Sequence, residues 1–466
     1  MIERWNRDQV LALAPDASSQ KAAQGVSSPG KWSGSGVTAD AVWGECKGSG
    51  SKPYRACVDL TEPAYRCTCP SRKFPCKHAL GLLLLWSAGG VPEAGEPADW
   101  VAEWLEQRRA RAAKPAASPR AERSGAAADP KRAGQREQRV TAGLEELERW
   151  LTDQIRQGLA GARRHDQWDG LVKRLVDAQA PGVAGTVSRL GAVLGADDWP
   201  ARLLGEYSLL HLLITAHRRT SASGDAGADT AESTAGDTAG GTAAGTAGDP
   251  AGDTGGSALG AELRQTVRTR IGFPVAQQDV LAGETVRDRW DVLGRRDEEQ
   301  DRLITRRVWL RGRATGRAAL VLSFAPAGQA LDASLVTGTT LDADLAFYPG
   351  SAQPRALVAA RHGSVPADGP PGSSLQEALA EVAAALAGDP WLEAWPLVLD
   401  RTVPVRDGDA WLLGGPDGAL PLHPSAGVPW RLLAVSGGHP RTVAAEWTPN
   451  GLLPLAAWND EGLVVL

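Results

Sequence analysis

Four soft metal ligands fall within one short stretch, Cys67-Thr-Cys69-Pro-Ser-Arg-Lys-Phe-Pro-Cys76-Lys-His78, in the pattern C-x-C-x6-C-x-H. Zn²⁺ takes four tetrahedral N/S donors, and three thiolates with one imidazole make a closed structural set. The single residue between Cys67 and Cys69 suits a bend that turns both sulfurs inward. Cys76 and His78 have the same spacing and lead into Ala79-Leu80-Gly81-Leu82-Leu83-Leu84-Leu85-Trp86, which reads as a buried helix with His78 in its first turn. Pro70 and Pro75 bracket the loop between the pairs and restrict its unfolded freedom. Clustered cysteines can also be plain buried thiols or, in an exported protein, disulfide partners. The spacing, the histidine and the helix favour one structural zinc ion held by Cys67, Cys69, Cys76 and His78. Cys57, between Ala56 and Val58 in a strand-like run, reads as a small core residue. Cys46, near a Gly-Ser turn, reads as a free thiol outside a complete shell.

This pattern and its flanks resemble the SWIM zinc finger in its bacterial form, over roughly residues 30–86. The resemblance rests on Trp43-Gly44-Glu45-Cys46-Lys47-Gly48-Ser49-Gly50, on Tyr54 and Val58-Asp59-Leu60, and on the ligand stretch with its leucine helix. It implies zinc binding at the four ligand positions and a module for protein or nucleic-acid interaction rather than catalysis. Bacterial proteins with this finger resemble components encoded with MoxR-like ATPases, so the resemblance also implies an ATPase-associated assembly with such an ATPase as a partner.

The elements around the ligands follow from patterning. A helix is expected from Arg4 to Leu13, then a small-residue stretch. Trp32 to Trp43 reads as strand, turn, strand with the turn at Gly34-Ser35-Gly36, and Tyr54 to Leu60 as a further strand. The finger is thus a short β-meander whose last hairpin presents Cys67 and Cys69. A unit this small buries little surface, so metal should supply much of its folding free energy, on the order of 10 kcal/mol. After Gly89-Gly90, Asp99 caps a second helix whose Trp100, Trp104 and Leu105 fold back on the finger.

The expected fold class is multidomain α+β. Residues 1–106 form the zinc finger with flanking helices, 107–139 a basic disordered linker, 140–220 a helical region, 221–258 an acidic low-complexity disordered segment, and 259–466 a C-terminal α+β domain with mainly antiparallel strands. In the helical region Leu144, Leu147, Leu151, Ile155 and Leu159 make one stripe, Trp168 to Val176 a second that stops near Pro181, and Trp199 to Ile214 a third. His211 and His217 fall on different helical faces, one core and one surface. In the last domain, strands are read at Leu303–Leu310, Ala318–Phe324, Leu345–Tyr348, Ala356–Ala360, Pro396–Val405, Trp411–Gly414, Trp430–Val435, Thr442–Trp447 and Leu463–Leu466. One helix opens on the capping box Ser374-Leu-Gln-Glu377, and the tryptophans read as core anchors.

At 466 residues and 42% hydrophobic content the chain supports about two to four packed domains. The formal charge of −5 demands neither a nucleic-acid nor a membrane partner. No apolar run approaches a membrane span, and Met-Ile-Glu-Arg-Trp-Asn-Arg-Asp lacks a signal-peptide core. Five cysteines, three of them in the ligand stretch, suit a reducing interior, so a cytoplasmic protein without membrane contact is expected.

Around the finger, Lys47, Lys52, Arg55, Arg66, Arg72, Lys73 and Lys77 stand against Asp59 and Glu62. Arg72, Lys73 and Lys77 flank the ligands, where they either meet phosphates or offset the negative charge of the site. Phe74, at the loop tip, is an apolar anchor for a protein partner. There is no P-loop, no H-E-x-x-H, no G-x-S-x-G and no G-x-G-x-x-G between a strand and a helix. Asp197-Asp198 and Glu298-Glu299 sit in charged segments. The favoured reading is a non-catalytic zinc-binding interaction protein with Arg72, Lys73, Phe74 and Lys77 as the partner-binding candidates. The alternative is a DNA- or RNA-binding protein using the finger and the basic linker, and a third is an enzyme whose site lies in the C-terminal domain.

Overall fold

The computed structural model describes residues 4–48, 52–61, 63–71, 73–112, 130–163, 168–232, 254–300, 303–326, 331–365, 369–459 and 462–466. The N-terminal part contains α1 (Arg7–Ala12), α2 (Ala17–Gln24), β1 (Trp32–Val37), β2 (Ala41–Cys46), β3 (Tyr54–Asp59), β4 (Ala64–Cys67), α3 (Lys77–Ser87) and α4 (Asp99–Ala112). The strands form an antiparallel meander in sequence order. Strand alternation puts Val42, Ala56 and Val58 on one face against α3, and Ala41, Trp43 and Cys57 on the other against Val101 and Leu105 of α4. Both faces of this small sheet are therefore covered.

Several details depart from the sequence reading. Gly34-Ser35-Gly36 lies within β1, at a register shift, and the chain reverses instead between Val37 and Ala41. The small-residue stretch after α1 is a helix, started by Asp16, whose side chain accepts from the Ser19 amide. Asp99 is the first residue of α4 rather than a residue before it. Cys57 is fully buried, as expected of a core residue.

The finger is also not a free-standing unit. Its core is shared with Val10 of α1, Leu13 just after that helix, Ala23 of α2, and Ala333 and Val336 of the C-terminal part. Asn6 Nδ2 donates to the Leu463 carbonyl at 2.8 Å, Gln9 Nε2 to Thr337 at 2.9 Å, and the Tyr65 hydroxyl to Ala333 at 3.3 Å. Arg295 donates to the carbonyl of Ala12 at the end of α1. The apolar contribution to finger stability is thus larger than its own length would supply.

The helical part contains α5 (Pro130–Gln157), α6 (Asp169–Asp177), α7 (Pro181–Val193), α8 (Trp199–Glu232) and α9 (Thr254–Ile271). Leu144, Leu147 and Leu151 meet Leu171, Leu175, Leu203, Tyr207 and Ile214 in one core, while Ile155, Val176 and Leu204 of the expected stripes are exposed. Pro181 starts α7 as well as ending the preceding stripe; proline is well suited to a first helical turn, where its missing N–H is no loss. α5 begins at Pro130 and α4 runs to Ala112, so both reach into residues read as linker, while residues 113–129 lie outside the described residues. α8 and α9 likewise reach into 221–258, of which residues 233–253 lie outside them. His217 is buried and shares a hydrogen bond with Thr141 Oγ1 at 3.1 Å, and His211 is on the surface.

The C-terminal part begins with the short α10 (Gln277–Leu281). A closed five-stranded barrel follows, in the order β5 (Thr285–Gln300), β6 (Leu303–Gly312), β7 (Ala318–Pro326), β9 (Arg355–Val365) and β8 (Thr340–Phe347), with β7 and β9 parallel. Beside it is a six-stranded antiparallel sheet, ordered β12 (Gly418–Pro421), β11 (Ala410–Gly415), β10 (Trp395–Asp407), β13 (Arg441–Thr448), β14 (Gly451–Asn459), β15 (Gly462–Val465). Helix α11 (Leu375–Gly388) starts on the expected capping box, with Ser374 and Glu377 bonding reciprocally. Trp430–Val435, expected as a strand, lies instead in helix α12 (Trp430–Ser436), ended by Gly437 in the left-handed region at φ 54°. Trp290, Trp309 and Trp395 are core anchors, whereas Trp430 is 72% exposed. Among the described residues, no helix is long and apolar enough to cross a membrane.

Candidate metal centre

Each ligand reaches the site from a different piece of backbone. Cys67 ends β4, Cys69 follows in the bend beyond it, Cys76 is the residue before α3, and His78 is in the first turn of that helix. The helix is held in place from within: residues 78–86 are all buried, and Leu82 and Leu83 are fully so. Gly89, at φ 75°, ends the turn that closes it, a conformation that glycine adopts without strain. The anchoring of α3 in the core therefore fixes two ligands, and the β3–β4 hairpin fixes the others.

The four ligand atoms lie within 4.8 Å of one another, and they are the one such group of three or more among the described residues. Cys67 Sγ and His78 Nδ1 are 3.8 Å apart. With ordinary Zn–S and Zn–N bonds, the edge of a tetrahedron between sulfur and nitrogen is about 3.6 Å. The donor set and spacing thus fit zinc, with Nδ1 as the ligating nitrogen. Cys76 and His78 are buried, and Cys67 and Cys69 are half-buried. Four protein donors complete a tetrahedral shell, which assigns the metal a structural rather than a Lewis-acid role.

The thiols influence one another. Hydrogen bonding to Cys76, then burial, pushes the Cys67 thiol up, and burial raises Cys69. Cys76 is held well below its ordinary value, first by the Cys67 hydrogen bond and then by His78 and the Ala79 amide. Zinc takes thiolates, so binding it here would release the protons these thiols carry. The N-terminus of α3 also favours negative charge at Cys76.

A second layer holds the imidazole. The Tyr54 ring stacks on His78, with centroids 4.8 Å apart, and Gly48 makes room for it: a Cβ there would stand 2.6 Å from Tyr54 Cε2. Spacing alone did not disclose Tyr54 as a support for the site, because it lies in another strand and contacts the ligand only once the meander has formed.

The partner-binding candidates separate in space. Lys73 Nζ donates to Asp16 Oδ2 at 2.7 Å and to Ser18 Oγ at 3.1 Å, which ties the ligand loop to the start of α2. Phe74 is 36% exposed, with its ring edge-on to Tyr65 at 5.9 Å. Lys77 is exposed beside His78, and both line a cleft of about 520 Å³ with Lys47 and Tyr54. Arg72 lies outside the described residues. Of the paired carboxylates, Asp198 pairs with Arg202 at 2.7 Å, and Glu298 stands 3.7 Å from Arg296.

Residues 57–86 match the SWIM zinc finger. Over this stretch the chain is similar to SWIM-type fingers. Residues 135–234 match the SWIM-associated four-helix bundle domain, which corresponds to α5 through α8. No curated protein and no solved structure matches the chain. Within the SWIM finger, Cys67, Cys69, Cys76 and His78 are positioned to bind one zinc ion. SWIM fingers are interaction modules, and a closed ligand set suits that role.

Proposed function

We propose that this chain is a non-catalytic, cytoplasmic interaction protein in which the zinc-ordered SWIM finger docks a protein partner within an ATPase-associated assembly, a MoxR-like ATPase being the partner class. The observation that carries this reading is the pairing of Lys73 with Asp16. It leaves Lys77 as the cation of the ligand stretch with no ion-pair partner among the described residues, and Phe74, three residues before it, is 36% exposed. Non-specific nucleic-acid binding reaches even about 10⁻⁴–10⁻⁶ M only through several phosphate contacts. A protein partner needs one well-placed apolar anchor and a polar rim. Phe74 is that anchor in this reading, backed by Tyr65, with Lys77 on the rim; Arg72 is a candidate from the sequence alone. We take residues 1–106 as the finger unit, 140–220 as the bundle and 259–466 as the C-terminal domain, whose first helix, α9, packs into the bundle core through Val267 and Ile271.

The experiment is capture with tagged full-length protein, followed by mass spectrometry, for wild type, Phe74→Ala and Lys77→Ala. Zinc content is verified in each. Loss of a specific partner in Phe74→Ala, with weak and salt-indifferent nucleic-acid binding, supports the reading. Steeply salt-dependent DNA or RNA binding that Lys77→Ala abolishes, with all protein partners retained by Phe74→Ala, transfers the function to nucleic acid.

A further inference from the structure

Between the helical bundle and the C-terminal sheet is a cleft of about 1090 Å³. Small-molecule pockets run from about 300 to 1,000 Å³, so this one has room for a short stretch of polypeptide. Helices α7 and α8 give it an apolar wall of Val193, Leu209 and Leu212, the last 42% exposed.

Its other charged groups nearly all have partners. Arg202 donates to Asp198 at 2.7 Å and to Asn450 at 2.6 Å. Arg296 donates to the buried Glu446 at 3.0 Å, Arg307 stands 3.5 Å from the same carboxylate, and Glu393 accepts from Arg189 at 2.8 Å. Glu206 is left over: among the described residues, it has no hydrogen bond or ion pair. Burial, and after it the charge of Glu393, raises its carboxyl above the ordinary value, and Arg189, which is engaged with Glu393, only partly offsets this. A half-buried carboxylate beside a second one, on an apolar wall, is complementary to a cation carried on an apolar stem.

We propose that this cleft docks an extended segment of a protein partner bearing Lys or Arg beside apolar residues, the cation meeting Glu206 and the apolar neighbours covering Val193, Leu209 and Leu212. The proposal rests on the interaction-protein reading above but uses a surface separate from the finger. It gives the partner a second point of attachment, which raises overall affinity without strengthening either site.

The test selects random phage-displayed peptides on the immobilised, zinc-loaded full chain, with counter-selection on Glu206→Lys. Recovered peptides should combine Lys or Arg with apolar residues. Made synthetically, they should lose about tenfold or more in affinity on Glu206→Gln, a charge-assisted contact being removed. Leu212→Ala should weaken them separately, and Phe74→Ala should leave them unaffected. Glu206→Gln is first shown to keep the wild-type melting temperature. Recovery of no Glu206-dependent peptide, or of dependent peptides without a basic residue, overturns the proposal. Capture that depends on Phe74 is scored independently, so either claim can fail while the other stands.

Discussion

Tyr54 and His78 stack with their planes 33° from parallel, and the space for that stack exists because residue 48 is glycine. The contact holds the imidazole where Nδ1 faces the cysteines. Removing it in Tyr54→Ala should lower zinc affinity by about tenfold, the scale on which groups that orient metal ligands act. Gly48→Ala should act in the same direction by displacing the ring. Chelator competition at fixed pH measures both, and wild-type affinity in Tyr54→Ala would remove the stack from the account.

Lys73 and Asp16 join the ligand loop to α2 across a largely exposed pair. Exposed pairs contribute little, so Lys73→Ala should cost less than about 1 kcal/mol in denaturant unfolding. The Asp16 carboxyl lies well below its ordinary value, first through the Lys73 hydrogen bond and then through Ser18 and the Ser19 amide. Its contribution is therefore present above the unfolded aspartate value of about 3.9 and is lost as pH falls towards the depressed folded value. The stability difference between wild type and Lys73→Ala should be flat from neutral pH to about 5 and shrink in acid below about 4. A difference that grows on acidification would contradict this.

Arg270 and Asp389 tie the bundle to the C-terminal part. The Asp389 side chain is 1% exposed and accepts from Arg270 Nη2 at 2.5 Å. Asp389 also accepts from the Trp391 amide at 3.2 Å, and Trp391 Nε1 in turn donates to the Leu209 carbonyl at 2.9 Å. Asp389→Ala leaves the guanidinium without its partner, so a loss of about 3 kcal/mol is expected. Calorimetry should show the bundle and the C-terminal part separating into distinct transitions in that variant. An unchanged single transition would show the contact to be dispensable.

The zinc ligands and the leucine helix were legible because their signals are local: ligand spacing, and an apolar run long enough to be buried. The same holds for the Ser374 capping box. Strand β5 was not legible. It carries Arg287, Asp288, Arg289, Asp291, Arg295, Arg296 and Asp297, and so lacks an apolar alternation. Those charges are satisfied by remote partners: Asp291 accepts from Arg313 and Thr340, Asp297 from Arg306, and Asp288 from the amides of Ala314 and Thr315. Such partners exist only once β5 has paired with β6 and, for Thr340, with β8. Trp430–Val435 misled for another reason, since a run of six mostly apolar residues is too short for its period to separate helix from strand. In the candidate site, the cations beside the ligands were visible in sequence, but the Asp16 that engages Lys73 lies far from it along the chain.

Whether Cys67, Cys69, Cys76 and His78 hold one structural zinc ion is decided by the metal content of the purified protein. Wild type, prepared without added metal, should contain one zinc per chain. The Cys69→Ser, Cys76→Ser double variant should contain none, and its finger amides should exchange hydrogen faster while the bundle and barrel stay protected. Zinc retained unchanged in the double variant would contradict the account.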